Sequence, residues 1–196
     1  MQYGHLLIFG SLVVTGWFLF ILFWPRMLLF VFKSAILVRG FGEGPVPVNT
    51  LYTQPEKMFA EPITSQSLRD SELMTRGVNH DTLLSVGWLD LARGPQCLCV
   101  PDMTGRYYSV QFVDPSKNEN FAYVGTRTTG TDAGEYVISG GRWKGSIPQG
   151  MTHIPSPSPS VLVIVRTLVE NESDLSRAYA LARQIQIRPL NLRQSE

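Results

Sequence analysis

The adjacent residues His80 and Asp81 have the side chains best suited to chemistry in this sequence. An imidazole beside a carboxylate can act as a general base or as a metal ligand. Neighbouring residues on a strand point to opposite faces, however, and Asp81 can equally close a turn or cap a short segment. The other histidines, His5 and His153, are scattered, so the three show no metal-ligand spacing. We therefore treat His80 and Asp81 as weak catalytic candidates and predict no metal site.

Three arginines form a second candidate site. Arg166 interrupts the apolar run Val161–Val169, where a guanidinium must be paired or must reach water. If two of Arg106, Arg127 and Arg166 converge on one cleft, they bind a carboxylate or a phosphate group. We favour the simpler interpretation, which is a structural ion pair that fixes strand register. The carboxylates available for that pair are Asp81, Asp90 and Asp114.

The only two cysteines, Cys97 and Cys99, lie two residues apart in a segment that we predict to be extended. Both side chains then point to the same face of a strand. A disulfide between such close neighbours would be strained. A metal or redox site of this pattern needs further ligands, and the chain has no other cysteine. We interpret the pair as two small buried side chains.

Chain length and net charge limit the domain count and the class of partner. The 196 residues suffice for one membrane anchor and one ordinary domain. The formal net charge of +1 provides no basic excess for binding nucleic acid. No residue set forms a catalytic signature, and we predict no cofactor.

The segment Leu6–Trp24 is an uncharged apolar run of nineteen residues. Its length matches a helix that crosses a hydrocarbon core of about 30 Å, so we predict a single-pass anchor whose partner is the lipid bilayer. A cleaved signal peptide fits poorly, because no basic segment precedes the run and no clear cleavage site follows it. A second apolar stretch, Met27–Val38, contains Lys33 and is too short to cross again. It lies in the membrane interface or, as we favour, forms a helix that packs on the domain.

The rest of the chain has the pattern of a mainly β domain. Residues 1–39 contain the anchor and the second apolar helix, residues 40–47 form a Gly/Pro linker, and residues 48–196 form the domain. Near the end, Ser173 or Asp174 can cap a helix that runs to about Ile187 and is stopped by Pro189. The Pro-rich segment Ile154–Ser160 is predicted to be an extended surface segment. Short apolar runs between turn residues predict six strands, which are Leu83–Leu89, Gln96–Val100, Arg106–Val113, Phe121–Val124, Glu135–Ser139 and Val161–Val169.

The order of short motifs from Val48 to Leu190 resembles the bacterial family called domain of unknown function 1254. Each motif alone is weak, but their order and spacing make the resemblance specific. The motifs are Asn79-His80-Asp81-Thr82-Leu83, Gly87-Trp88-Leu89-Asp90-Leu91, Gly94-Pro95, Val100-Pro101-Asp102, Gly105-Arg106-Tyr107-Tyr108, Gln111-Phe112-Val113-Asp114, Val124-Gly125-Thr126-Arg127-Thr128-Thr129-Gly130, Ala133-Gly134-Glu135-Tyr136, Trp143-Lys144-Gly145, Arg166-Thr167 and Arg188-Pro189-Leu190.

The resemblance implies an immunoglobulin-like β-sandwich, which in the family often stands beside a second domain of the class numbered 1214. This chain is too short to include that domain, so we expect a separate, companion anchored β-domain protein to supply it. Family members commonly carry export signals, which favours the bacterial inner membrane with the domain in the periplasm. The positive-inside rule favours the cytoplasm instead, because Arg26, Lys33 and Arg39 follow the apolar run. The family usually has Asn and Tyr where this chain has His80 and Leu84.

Two functional hypotheses follow from these features. The first is an anchored, non-enzymatic interaction module of the cell envelope that works with the companion protein. The second is an enzyme or small-ligand-binding protein with a site around His80, Asp81, Arg106, Arg127 and Arg166. The geometry of the side chains distinguishes the two hypotheses, because an enzyme or ligand site requires those side chains to converge on one concave pocket.

Overall fold

A computed structural model describes residues 2–39, 44–56, 59 and 81–190, with the side chains of residues 2–7 excepted. This part of the chain contains two α-helices that lie wholly within it, nine strands and two short 3-10 helices, Leu91–Arg93 and Glu172–Asp174. The helices are α1 (Gln2–Arg39) and α2 (Leu175–Ala182), and the strands are β1 (Leu51–Thr53), β2 (Thr82–Asp90), β3 (Gln96–Val100), β4 (Tyr108–Asp114), β5 (Glu119–Gly125), β6 (Gly134–Gly140), β7 (Thr152–Ser156), β8 (Ser160–Leu168) and β9 (Gln186–Pro189).

The helix α1 joins the two apolar stretches of the sequence into one element. It continues through Pro25, and it is long and apolar enough to cross a membrane. Side chains from Ile8 to Val31 are largely exposed, as Phe9 is at 70%. Near its end, by contrast, Ile36 is only 2% exposed. The end of the second apolar stretch, around Ile36, therefore packs on the domain, whereas its first part, Met27–Val31, stays largely exposed.

The strands form two sheets. The first has the order β1-β2-β8-β4-β5, and the second has the order β7-β6-β3-β9. All pairings in the first sheet are antiparallel, and in the second only β6 and β7 are parallel. The chain is thus mainly β, with two sheets, a long N-terminal apolar helix and a short C-terminal helix.

One hydrophobic core contains side chains from both sheets. Alternate residues of each strand point to the same face, and in β8 the inward residues are Val161, Val163 and Val165. The fully buried members of this core with the largest side chains include Tyr108, Phe112, Leu98 and Ile138. The opposite face of the first sheet packs against the end of α1.

The end of the chain corrects one prediction. The C-terminal helix stops at Ala182 rather than near Ile187. Residues 186–189 form β9 instead, in which Ile187 lies opposite Leu98 of β3. Pairing with the free edge of β3 and burial of Ile187 in the core outweigh the local helical periodicity. This strand was missed because its partner lies almost ninety residues earlier in the sequence.

Two further strands were not predicted as strands. The Pro-rich segment contributes β7, which is the edge strand beside β6. An edge position suits Pro155, because proline has no N–H group for the ladder. The short strand β1 pairs with β2 where Gly87 lies opposite Leu51. A Cβ atom at Gly87 would lie 2.5 Å from the Thr50 carbonyl oxygen, so this pairing requires glycine.

Candidate functional site

The candidate Arg106 forms a structural ion pair. Its side chain is 8% exposed and donates to both carboxylate oxygens of Asp174 at 2.5 and 2.6 Å. It also donates to the Leu168 carbonyl oxygen at 2.6 Å. The hydrogen bonds from Arg106 lower the pKa of Asp174 to about 2, against the effect of burial. The pair fastens the start of β4 to the loop before α2, as the favoured structural interpretation predicts, although Asp174 was not among the expected carboxylates.

The candidates Arg166 and Arg127 have different partners. Arg166 lies on the outer face of β8 and donates to the Gln111 side-chain oxygen at 3.1 Å. The guanidinium of Arg127 lies 5.3 Å from the ring centroid of Tyr107, which is a cation–π contact. Cavities of about 460, 540 and 650 Å³ in the described part of the chain have none of the three arginines in their lining. The structure therefore gives each arginine its own partner and does not place the three together around one of these cavities.

The candidate Asp81 is exposed and lies just before β2. Its backbone carbonyl accepts a hydrogen bond from the Val169 N–H at 2.8 Å, which closes the end of the β2–β8 pair. The residue His80 lies outside the described residues. The expected carboxylates Asp90 and Asp114 each accept a hydrogen bond from the backbone N–H two residues later, as local turn closures.

The cysteines share one face of β3, as predicted. Their sulfur atoms are 3.8 Å apart on the outer face of the second sheet. Cys97 is buried and Cys99 is partly buried. In the sheet register Cys99 lies opposite Glu135 of β6, and Cys97 lies opposite Arg188 of β9. The strand pairing thus surrounds a thiol pair with one acidic and one basic side chain.

Polar contacts connect these four side chains. The Cys99 sulfur is 3.6 Å from a carboxylate oxygen of Glu135, and Arg188 forms an ion pair with the same oxygen. Desolvation, with the neighbouring Cys97 as the next cause, raises the pKa of Cys99 to about 12. The charge of Cys99, a hydrogen bond with Cys97 and the charge of Glu135 raise the pKa of Arg188.

One atom each from Cys97, Cys99 and Glu135 lie within 4.8 Å of one another, which is a spacing that could hold a metal ion. The sequence missed this cluster because Glu135 is 36 residues from Cys99. The two-residue spacing of the cysteines predicts that they share one face of β3, but it does not predict which strand pairs beside them. An open cavity of about 650 Å³ adjoins the cluster.

The sequence matches the model of a known family. The family model described as "Protein of unknown function (DUF1254)" matches residues 62–189. The chain belongs to this family. No curated protein matches the chain.

Two solved structures are similar to this member of the DUF1254 family. The VPA0106 protein from Vibrio parahaemolyticus is 32% identical over 57% of this chain, with a TM-score of 0.54. This chain spans only 28% of that protein's length. An uncharacterised protein from Burkholderia cenocepacia is 12% identical, and the match covers 62% of this chain and 31% of that one. Its TM-score is 0.36.

Proposed function

We propose that this DUF1254 protein is a membrane-anchored, non-enzymatic interaction module of the bacterial cell envelope. In this proposal α1 crosses the inner membrane once, and the two-sheet domain works with a companion β-domain protein of the 1214 class. The observation that carries the proposal is the division of α1 into an exposed apolar part and an end packed on the sheet.

The exposed part of α1 has the dimensions of a membrane span. A helix of 38 residues is about 57 Å long, whereas a hydrocarbon core is about 30 Å thick. The segment Leu6–Trp24 accounts for the core, and about fifteen residues remain on the side of the domain. Exposed side chains such as Phe18 at 67% and Ile21 at 56% would be costly in water and favourable in lipid.

The packed end of α1 would hold the domain close to the bilayer. Ile36 is buried in a cluster with Val86, Trp88 and Leu162 on the outer face of the first sheet. The Lys33 ammonium group lies 4.8 Å from the ring centroid of Trp88, where a cation–π contact adds to the packing. Ile36 is twelve residues, or about 18 Å along the helix, beyond Trp24, so the domain would be held close to the membrane surface.

The partner is supported by the length of the relative. The Vibrio parahaemolyticus protein is much longer than the region it shares with this chain. In the proposal, the companion protein of the 1214 class that the family resemblance implies works together with the domain. The arginine candidates also have separate structural partners, which favours a binding module over the alternative enzyme or small-ligand site.

Two finer features belong to this proposal. One is an immunoglobulin-like arrangement of the strands, supported by two sheets around a shared core. The other is a periplasmic position of the domain, supported by the export signals that are common in the family. The basic residues after the apolar run favour the cytoplasm, so the side requires a direct test.

The anchor is tested by fractionation of cells that express the full chain. We expect the chain in the membrane fraction, resistant to carbonate and released by detergent. Recovery in the aqueous fraction without detergent would refute the anchor. A reporter that is active only in the periplasm, fused after Glu196, tests the side, and an inactive reporter would place the domain in the cytoplasm.

The partner is tested by affinity purification from a detergent extract of cells that express the chain at its native level. We expect one companion β-domain protein at a stoichiometric ratio. The matched control is the same chain with Ile36→Asp. This variant keeps the apolar run Leu6–Trp24 intact but disrupts the packing of the end of α1 on the sheet. Failure of the wild-type chain to recover any stoichiometric partner would refute the interaction module.

A further inference from the structure

The outer face of the second sheet holds a cluster that the proposed function does not use. It consists of Cys97 and Cys99 of β3, Glu135 of β6 and Arg188 of β9. Two thiols, one carboxylate and one guanidinium meet on a surface that faces away from the core between the sheets. Three adjacent strands fix their positions, so the cluster is set by sheet register rather than by a loop.

We propose that Cys97, Cys99 and Glu135 bind a thiophilic divalent cation of the zinc type. Zinc prefers thiolate, imidazole and carboxylate ligands in a tetrahedral arrangement. A zinc–sulfur distance of about 2.3 Å and a tetrahedral angle give a sulfur–sulfur separation of about 3.8 Å. The Cys97 and Cys99 sulfur atoms are 3.8 Å apart. A disulfide would instead require about 2.05 Å.

The carboxylate fits the same geometry. With a zinc–oxygen distance of about 2.0 Å, a sulfur and an oxygen ligand lie about 3.5 Å apart. The Cys99 sulfur and the Glu135 oxygen are 3.6 Å apart. The third separation, between Cys97 and Glu135, lies within 4.8 Å. Two of the three ligand separations therefore already match a tetrahedral site.

The basic residue completes the charge balance. Two thiolates, one carboxylate and one divalent cation together have a net charge of minus one, which the guanidinium of Arg188 cancels. Arg188 pairs with the same Glu135 oxygen that lies 3.6 Å from the Cys99 sulfur, and a carboxylate oxygen has lone pairs enough to accept from the arginine and to bind the metal. Arg188 is thus a positioning residue that holds Glu135 toward the sulfur atoms. On binding, the two thiol protons leave to solvent.

The cavity beside the cluster accommodates a fourth ligand. Cys99 and Glu135 both line the open cavity of about 650 Å³, together with Gln149, Gln184 and Gln186. A cation held by three protein ligands on the sheet would direct its remaining position toward this space. Water is the fourth ligand in this arrangement, as in other zinc sites with three protein ligands.

The test uses the reduced, full-length chain in detergent, without a histidine tag, titrated with Co²⁺ as a spectroscopic probe and then with Zn²⁺. We expect one Co²⁺ per chain, a thiolate-to-cobalt charge-transfer band with the visible bands of a tetrahedral site, and displacement by one Zn²⁺. Since the chain has only two cysteines, the charge-transfer band can arise only from Cys97 or Cys99. Absence of the band at stoichiometric Co²⁺ would overturn the proposal.

The variants separate the ligands from their support. Cys99→Ser should abolish the charge-transfer pattern of a dithiolate site, and Glu135→Gln should weaken zinc binding by at least tenfold. Arg188→Gln should weaken it by about 10- to 100-fold, as for other residues that orient a ligand. The matched control is Glu119→Gln on β5 of the other sheet, which should bind zinc like the wild type. Unchanged binding by Cys99→Ser, or equal affinity of Glu135→Gln and Glu119→Gln, would overturn the ligand assignment. The thermal unfolding of each metal-free variant verifies that it is folded.

Discussion

Among the described residues, the pair Arg106–Asp174 should be the most costly polar interaction to break. Both side chains are largely buried, with exposures of 8% and 12%. Replacing Arg106 by Met keeps the apolar length of the side chain but leaves the Asp174 carboxylate without its cation. Removal of one partner from a buried ion pair costs about 3–5 kcal/mol. Because Asp174 retains some contact with solvent, we expect the lower end, about 3 kcal/mol.

A second contribution comes from the backbone. Arg106 also donates to the Leu168 carbonyl oxygen, and loss of such a bond costs about 1 kcal/mol. In Asp174→Asn, by contrast, the buried guanidinium of Arg106 keeps its charge but has an uncharged partner. It should therefore cost a similar amount, while the hydrogen bond from the Glu170 N–H to the residue 174 side chain can persist.

The assay is a double-mutant cycle on the full chain in a mild detergent, with denaturant unfolding followed by circular dichroism of the sheets. We expect Arg106→Met to destabilise by about 4 kcal/mol, as the sum of the two contributions, and Asp174→Asn by about 3 kcal/mol, with the double variant destabilised by clearly less than their sum. For a domain of this size, a loss of 3 kcal/mol lowers the melting temperature by about 6–12 °C.

The matched control is Arg127→Met, since Arg127 is exposed and its guanidinium lies over the Tyr107 ring. It should change stability by no more than about 0.5 kcal/mol. The reasoning would be refuted by a loss below 1 kcal/mol in Arg106→Met. Strict additivity of the two single variants would refute it equally, because it would show that the two charges do not act as a pair.

Three further predictions concern stability. Because the pKa of Asp174 is lowered to about 2 in the folded chain, its contribution is complete above the unfolded pKa near 4 and is lost as the pH falls toward 2. Between pH 5 and pH 2, the free energy of unfolding from denaturant titrations should therefore fall more steeply for the wild type than for Asp174→Asn. Parallel pH dependences of the two proteins would contradict the assignment of this loss to Asp174. Ile36→Ala should destabilise the docked end of α1 by about 2–4 kcal/mol in denaturant unfolding, whereas the exposed control Val31→Ala should have little effect. Equal midpoints for these two variants would show that α1 does not pack on the sheet. Gly87→Ala should displace β1, because its Cβ would lie 2.5 Å from the Thr50 oxygen, and should cost about 1–3 kcal/mol. Hydrogen exchange at residues 51–53 should then lose protection, while Gly141→Ala, whose added Cβ meets nothing within 4 Å, should retain it.

Local patterns in the sequence determined several features directly. An uncharged apolar run predicts a long helix with an exposed surface, and α1 has that surface. Alternation predicts the strands that line the core, such as β3 and β8, and it places Cys97 and Cys99 on one face. These properties depend on residues within a few positions of one another, so the local order of side chains is enough to determine them.

Only the tertiary structure decided which residues meet across strands and loops. Arg106 and Asp174 are 68 residues apart, and the residues between them give no sign of the contact. The same holds for Glu135 and Cys99, which become neighbours because β6 pairs with β3 in one particular register. The segment of β9 had a helical pattern locally, but the free edge of β3 made it a strand. Each of these outcomes depends on the burial and pairing of distant segments, whose free energy is not encoded in any short stretch of the chain.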